Sequence, residues 1–302
     1  MINILISINT AFFDAARIML KSLYANNHEK IALYVFYSEL DQKKIYELRR
    51  WMKKNSYELH LMKIDDSMLQ GVPVAALSKE TYFRLFAPQF LPKDVHKILY
   101  LDSDMIISGN ISACYHLDMK DNLFMAVPDT SDGVDEMKQL LNMQTATYIN
   151  AGVLLMNLDL LRKEFDLKKV LLFAKKNPDK VKTCDQDLIN GFYHDRIGIM
   201  KWEYNYEARF HGFKDVIKYP LFYLKNTKNI KVIHYMGADK PWKTGFHGKY
   251  LILFYKYARN TRLQKIVAKN ILIWPFAVLK HFVKGYLSRL YITIDKKILG
   301  DC

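Results

Sequence analysis

The chain has 302 residues, of which 50% are hydrophobic, and its formal net charge is +14. This length and composition are sufficient to bury a sizeable core and agree with a single globular protein. The three cysteines, Cys114, Cys184 and Cys302, lack the spacing of metal ligands and are odd in number, which indicates a reducing compartment without structural disulfides. The sequence shows no signal peptide and no apolar run long enough to span a membrane, so we expect a cytoplasmic protein.

Predicted strands and helices alternate along the chain, which is typical of an α/β protein. The predicted elements are strands at Asn3–Ile8, Ile31–Tyr37, Tyr57–Ile64, Lys97–Leu101, Leu123–Val127 and Ala151–Leu158, and helices at Asp14–Ala25, Asp41–Asn55, Glu80–Phe86 (capped by Ser78) and Leu160–Lys176. We therefore expect a nucleotide-binding sheet with ligands at the carboxyl ends of its strands. The absence of a G-x-G-x-x-G motif and of a P-loop disfavours the NAD and ATP folds that use them.

The predicted strand Lys97–Leu101 is followed by two carboxylates that are separated by one residue, Asp102 and Asp104. Side chains alternate along an extended chain, so both carboxylates point the same way if that geometry persists. Converging carboxylates repel each other, and a cation is the simplest remedy. Oxygen ligands suit Mg²⁺ or Mn²⁺. The alternative is a helix cap and a solvated turn, which this motif alone does not exclude.

A second polar segment, His234–Trp242, follows the short apolar run Ile230–Ile233. His234 could complete a metal site with the two carboxylates. Gly237 would let backbone approach a ligand closely, and Lys240 could neutralise a phosphate. Taken alone, His234 is equally consistent with an ordinary strand end, and Lys240 with a surface turn.

Five segments of the chain share their order and spacing with one enzyme family. They are TYFRLFAPQFLP at Thr81–Pro92, KILYLDSDMII at Lys97–Ile107, YINAGVLLMNL at Tyr148–Leu158, the shorter DQDLIN at Asp185–Asn190, and HYMGADKPW at His234–Trp242. With them the chain resembles glycosyltransferase family 8, retaining enzymes that include bacterial lipopolysaccharide galactosyltransferases and glycogenin. The resemblance covers roughly residues 1–250 and implies a catalytic domain of GT-A type, a nucleotide-binding mixed sheet flanked by helices.

The resemblance implies a metal-dependent transfer of galactose or glucose, with retention, from a UDP-sugar to a glycan, glycolipid or glycosylated surface protein. The cofactor would be Mn²⁺ or Mg²⁺, held by Asp102, Asp104 and His234. Residues that would bind the nucleotide or donor sugar are Asn9, Phe12, Arg84, Asp102, Ser103, Asp129, Asn150, Gly237 and Lys240. Asp185 and Gln186 would lie beside the reacting carbon. Retention could follow front-face attack or double displacement, and Gln186, a poor nucleophile, favours the first.

Some of these residues have a structural alternative. Asn9 departs from the family, in which this position is usually Asp, and it could simply form a turn. Phe12 could be a core residue, Arg84 could face solvent from a helix, and Asp185 could cap a helix over Leu188–Phe192. A nucleotidyltransferase acting on sugar phosphates would also use paired carboxylates and a metal, but it would not require the His234–Trp242 segment.

Residues 251–302 form a distinct basic tail, with ten Lys or Arg against two Asp. Apolar residues recur in it at helical spacing, namely Leu279, Phe282, Val283, Tyr286, Leu290, Tyr291 and Ile294. This pattern predicts an amphipathic helix that binds anionic lipid, and hence a peripheral protein on the inner face of the membrane. The alternative is a helix packed on the catalytic domain. Because the charge is concentrated in this tail, it does not indicate a specific nucleic-acid site.

Overall fold

The computed structural model describes residues 1–74, 78–143, 146–208, 229–246 and 248–276. The chain forms two compact units. The first comprises Met1–Tyr206 and Asn229–His234, and the second comprises Glu207–Lys228 and Tyr235–Cys302. The predicted division into a catalytic domain at 1–250 and a tail at 251–302 stays a prediction, and the stripe from Leu279 to Ile294 lies outside the described residues.

Ten strands form two sheets in the described part of the chain. Their bounds are β1 Ile2–Ile8, β2 Ile31–Tyr37, β3 Glu58–Lys63, β4 Lys97–Leu101, β5 Met105–Ile107, β6 Phe124–Pro128, β7 Ile149–Asn157, β8 Ile197–Ile199, β9 Tyr206–Glu207 and β10 Val232–His234. The large sheet has the order β3-β2-β1-β4-β7-β6-β8 and the small one β5-β10-β9. Strand β1 pairs in parallel with β2 and β4, whereas β7 is antiparallel to both β4 and β6. The predicted mixed sheet is thus confirmed.

Helices flank the sheet, as the alternating pattern predicts. In the first unit they are α1 Phe13–Asn26, α2 Gln42–Lys54, α3 Ala87–Phe90, α4 Ser112–Tyr115, α5 Val134–Leu140, α6 Leu158–Glu164, α7 Leu167–Lys176 and α8 Asp185–Tyr193, and the second unit contains α9 Leu251–Ala258 and α10 at 264–276. Both faces of the large sheet are buried. Along β1, Leu5 lies in one core cluster, whereas Ile4 and Ile6 lie in another. A strand buried on both faces reads as a near-continuous apolar run, as β2 does; β1 is interrupted by Asn3 and Ser7.

Two predicted helices differ from the structure. The helix predicted at Leu160–Lys176 is two helices, because the side chain of Asp166 accepts a hydrogen bond from the backbone N–H of Lys169 and starts α7. Such a capping side chain competes with continuation of the preceding helix. The helix predicted at Glu80–Phe86 is a 3₁₀ segment over Lys79–Phe86, and the Ser78 side chain forms no capping hydrogen bond with it.

The sheet edges bring the two predicted metal-binding segments together. The backbone N–H of Asp102, just after β4, donates to the carbonyl of Gly152 in β7 at 2.9 Å. Strand β10 pairs antiparallel with β5, and His234 lies opposite Met105 in that register. Because Asp104 directly precedes Met105 in the chain, this pairing places His234 next to Asp104. Within the described residues, no helix has the length and apolarity that a membrane crossing requires.

Candidate active site

Asp102, Asp104 and His234 form a compact cluster, in which one ligand atom from each residue lies within 4.8 Å of the others. His234 Nε2 is 3.2 Å from Asp104 Oδ1 and 3.7 Å from Asp102 Oδ2. Asp104 and His234 are buried, whereas Asp102 is partly exposed. Two carboxylate oxygens and one imidazole nitrogen are a donor set that suits Mn²⁺ or Mg²⁺, so these residues fit a divalent cation.

Arg84 joins this cluster to a second buried carboxylate. Its Nη2 lies 3.0 Å from Asp102 Oδ1, and its Nε lies 2.8 Å from Asp185 Oδ2. Its guanidinium also lies over the ring of Tyr100, 4.1 Å from the centroid, and Nη1 donates to the carbonyl of Ala151. Burial lowers the pKa of Arg84, but Asp102 and Asp185 outweigh it and hold that pKa above its ordinary value. With 3% of its surface exposed, Arg84 does not face solvent.

Asp185 is the first residue of α8, and its carboxyl group is buried. Burial raises its pKa to about 7, although Arg84 pulls the pKa down. The neighbouring acid, Asp187, holds the preceding loop, because its Oδ2 accepts hydrogen bonds from the backbone N–H groups of Lys182 and Thr183. Asp185 itself does not cap α8. It faces Arg84, and the capping position is occupied by Cys184.

Three of the predicted donor-site and catalytic residues are brought together at the start of β7. Asp129 Oδ2 accepts hydrogen bonds from Asn150 Nδ2 at 3.0 Å and from Gln186 Nε2 at 2.9 Å. Gln186 Oε1 in turn accepts from the backbone N–H of Ala151 at 2.9 Å. Burial raises the pKa of Asp129, but hydrogen bonds from Ser131, Asn150 and Gln186 outweigh it and keep that pKa below its ordinary value.

Two residues that the sequence did not single out contact His234. The side chain of Asn205 lies between His234 and Asn150, 2.9 Å from His234 Nδ1 and 2.8 Å from Asn150 Oδ1. Gly152 lies beneath the imidazole, where a Cβ would be 2.3 Å from His234 Cε1. A glycine inside a strand indicates such close approach, and Gly152 stands within the YINAGVLLMNL segment. Nothing comparable in the sequence marks Asn205.

Asn9 and its neighbours lie at the carboxyl end of β1. Asn9 Oδ1 accepts hydrogen bonds from the backbone N–H groups of Ala11 and Phe12, and its Nδ2 donates to Glu80 Oε2 at 2.9 Å. Phe12 is half-buried, unlike the fully buried Phe13. An Asp at position 9 would place two carboxylates in contact, whereas the Asn9 amide donates a hydrogen bond to Glu80. The hydroxyl of Ser103 donates to the Ser7 carbonyl nearby.

Gly237 and Lys240 belong to the second unit. Gly237 has a φ of +78°, a left-handed conformation that favours glycine. Lys240 is buried and its Nζ donates to the carbonyl of Tyr235 at 2.8 Å, so it is not on a surface turn.

Helix α10 holds the loop that carries Lys240. Asn270 Nδ2 donates to the carbonyls of Pro241 at 2.8 Å and Lys243 at 2.7 Å, and its Oδ1 accepts from the backbone N–H of Gly245 at 3.1 Å. The side chain of Asn270 is fully buried. The first part of the predicted tail is therefore integral to the second unit.

A sequence profile described as Glycosyl transferase family 8 matches residues 3–245. The chain belongs to glycosyltransferase family 8. It is accordingly a glycosyltransferase, and the resemblance seen in its sequence motifs is confirmed.

Relatives agree with this assignment. The chain is 24% identical to glycosyltransferase GlyB of Streptococcus pneumoniae over 95% of its own length and 69% of the relative. It is 26% identical to the lipopolysaccharide 1,2-glucosyltransferase of Escherichia coli over 80% of its length and 72% of that protein. It spans only 58% of GlyE of S. pneumoniae, to which it is 23% identical over 82% of its own length.

Solved structures share the fold. The galactosyltransferase LgtC, crystallised in complex with donor and acceptor sugar analogues, superposes with a TM-score of 0.72 at 22% identity, over 85% of this chain and 95% of LgtC. GlyE of S. pneumoniae superposes with a TM-score of 0.67 at 20% identity, over 89% of this chain and 63% of GlyE. At identities this low the superpositions show a shared fold, and the mixed sheet with its flanking helices is that fold.

Proposed function

We propose that this family 8 enzyme is a metal-dependent retaining hexosyltransferase that moves galactose or glucose from a UDP-sugar to a glycan, glycolipid or glycosylated surface protein. The observation that carries the proposal is the cluster of Asp102, Asp104 and His234 with Arg84 behind it. The names of two relatives support the choice of sugar. One is the lipopolysaccharide 1,2-glucosyltransferase of E. coli, and the other is the lipopolysaccharide 1,3-galactosyltransferase of Salmonella typhimurium, 25% identical over 80% of this chain and 72% of that protein.

We propose Asp102, Asp104 and His234 as the ligands of Mn²⁺ or Mg²⁺. When bound, the cation would stabilise the negative charge that develops on the departing diphosphate. Arg84 and the hydroxyl of Tyr100 both hydrogen-bond to Asp102 Oδ1, which leaves Asp102 Oδ2 directed towards His234. These contacts hold the carboxylate in place before any ligand arrives. Lys240 would add a second positive charge for the diphosphate.

The residues proposed beside the reacting carbon favour front-face attack. Gln186 is a neutral amide with both ends hydrogen-bonded, to Asp129 and to the backbone of Ala151, so it orients rather than attacks. Asp185 is buried and paired with Arg84, which makes it a weak nucleophile. The acceptor oxygen would then form its bond to the anomeric carbon while the bond to phosphate breaks, and the acceptor proton would pass to the departing phosphate.

The deciding experiment measures UDP release from a panel of sugar nucleotides, with Mn²⁺ and with a chelator. We expect release from UDP-galactose or UDP-glucose only with the cation, and loss of both release and Mn²⁺ binding in Asp104→Ala. Asp118→Ala, an acid placed on the surface by a turn, is the matched control. Release of pyrophosphate instead of UDP would indicate a nucleotidyltransferase, and full activity of Asp104→Ala in chelator would refute the metal site.

We further propose that the basic tail holds the enzyme on an anionic membrane surface. In α10, which lies in the tail, Leu272 and Phe276 are 76% and 72% exposed, and exposed apolar side chains of this kind support contact with lipid. Only residues 277–302 of the tail should be removed, because a cut before residue 270 would also remove Asn270. Full-length and shortened protein are then sedimented with anionic liposomes at low and high salt. Equal sedimentation of the two forms would refute membrane binding by the tail.

A further inference from the structure

A continuous line of buried hydrogen bonds runs from Asp129 to His234. Asn150 Nδ2 donates to Asp129 Oδ2 at 3.0 Å, Asn205 Nδ2 lies 2.8 Å from Asn150 Oδ1, and Asn205 Oδ1 lies 2.9 Å from His234 Nδ1. Asn150, Asn205 and His234 are each no more than 8% exposed. Asp129 is the one carboxylate in this line.

The direction of every hydrogen bond in this line follows from its first member. A carboxylate can only accept, so Asn150 must present its Nδ2 to Asp129 and its Oδ1 to the other side. Asn150 Oδ1 also accepts from the backbone N–H of Gly152 at 3.0 Å, which fixes the same orientation independently. Asn205 must then donate through Nδ2 to Asn150, and this leaves Asn205 Oδ1 to accept from His234 Nδ1–H.

The proton on Nδ1 matters because of what surrounds the other ring nitrogen. His234 Nε2 lies 3.2 Å and 3.7 Å from oxygens of Asp104 and Asp102, and either carboxylate would accept a proton from it. A neutral imidazole with its proton on Nε2 would hydrogen-bond to a carboxylate through that nitrogen, and Nε2 would then have no lone pair for a cation. A hydrogen-bond partner at one ring nitrogen sets which nitrogen binds a metal.

We propose that Asn205 is a positioning residue that holds the proton of His234 on Nδ1 and thereby presents Nε2 to the divalent cation. The inference rests on the proposed metal site and extends it. This line of hydrogen bonds also gives Asp129 and Asn150 a role besides binding the donor sugar, because they fix the orientation of the Asn205 amide. Gly152 makes the arrangement compact, because only a residue without a side chain fits beneath the imidazole.

The test measures the Mn²⁺ dissociation constant by electron paramagnetic resonance, without nucleotide. Asn205→Leu removes the acceptor, and we expect Mn²⁺ to bind about 10- to 100-fold more weakly. In a His234→Ala background the same substitution should cause no further loss, because Asn205 acts through His234. The matched control is Asn27→Leu, which removes an equally buried amide that bonds to backbone at Leu23 and Ile111. It should keep wild-type affinity.

Two results would overturn the inference. One is wild-type Mn²⁺ affinity in Asn205→Leu, and the other is an equal loss of affinity with and without His234. If Asn205→Leu does not fold, Asn205→Ala removes the same acceptor with less bulk and is judged by the same criteria. A wild-type enzyme that binds no Mn²⁺ would instead refute the proposed metal-dependent function, so the two failures are distinguishable.

Discussion

Replacing Gly152 by Ala should disable the metal site through a single methyl group. The added Cβ would lie 2.3 Å from His234 Cε1, 2.8 Å from His234 Nδ1 and 3.0 Å from Asn150 Oδ1. An ordinary carbon–carbon contact begins at about 3.5 Å, so the ring must move by roughly 1 Å. The imidazole is rigid and buried and is hydrogen-bonded to Asn205, so any displacement of the ring breaks packing or this hydrogen bond and costs free energy.

The expected magnitude follows from these distances. Overpacking of this kind destabilises a fold by about 1–3 kcal/mol. A displacement of about 1 Å at a catalytic group costs on the order of 100-fold in rate. We therefore expect Gly152→Ala to remain folded, with a lower melting temperature, and to lose about two orders of magnitude in metal-dependent UDP release.

The assay compares Mn²⁺ affinity, UDP release and thermal unfolding in chelator for Gly152→Ala and for Gly109→Ala. A Cβ at Gly109 would meet Lys231 Cδ at 2.7 Å, and a flexible lysine chain moves aside easily. The control should therefore keep wild-type metal affinity. If Gly152→Ala bound Mn²⁺ and released UDP as the wild type does, the packing of His234 on Gly152 would not constrain the site, and the prediction would be wrong.

Three further predictions concern charge. Because the pKa of Asp185 is raised to about 7 in the fold, the unfolded chain, with an ordinary pKa of about 4, loses this proton at lower pH than the folded protein. The free energy of unfolding in chelator should therefore fall from pH 5 to pH 7 by on the order of 1.4 kcal/mol per pH unit, and Asp185→Asn should lack this component. Equal pH profiles for the two proteins would refute it. Asn9→Asp should destabilise the protein at pH 7 by about 1–3 kcal/mol, because the new carboxylate faces that of Glu80. The loss of stability should shrink at pH 4, and denaturant titration at both pH values measures it. Lys240→Ala should weaken UDP binding by about 1.5–3 kcal/mol in calorimetry, and unchanged affinity would remove Lys240 from the diphosphate site.

The sheet and the positions of Asp102 and Asp104 were accessible from sequence because local patterns encode them. The range predicted for β2, Ile31–Tyr37, is the observed one, since an apolar run bounded by polar residues marks a buried strand. Asp102 and Asp104 could be placed because a strand end fixes where following side chains lie. His234 could be added only through its motif, since its nearness to Asp104 depends on the pairing of β5 with β10.

Long-range contacts account for what sequence did not reveal. Asn205 has no local signature, and its importance arises only where β7 and β10 place Asn150 and His234 on either side of it. The burial of Arg84 between two carboxylates is likewise a property of tertiary packing. The capping residue Asp166 indicates the break between α6 and α7. The amphipathic pattern continues on both sides of Asp166, however, and therefore predicts one continuous helix.

The pairing of β5 with β10 has a consequence for how the enzyme is made. Strands β1, β2 and β4 and both aspartates of the proposed metal site are all synthesised before His234. On the ribosome, a nascent chain can form much of the sheet while the imidazole that completes the site has not yet been added. Contacts between residues far apart in sequence form late. A cation that needs all three ligands would therefore stabilise only the finished protein and could not guide its early folding.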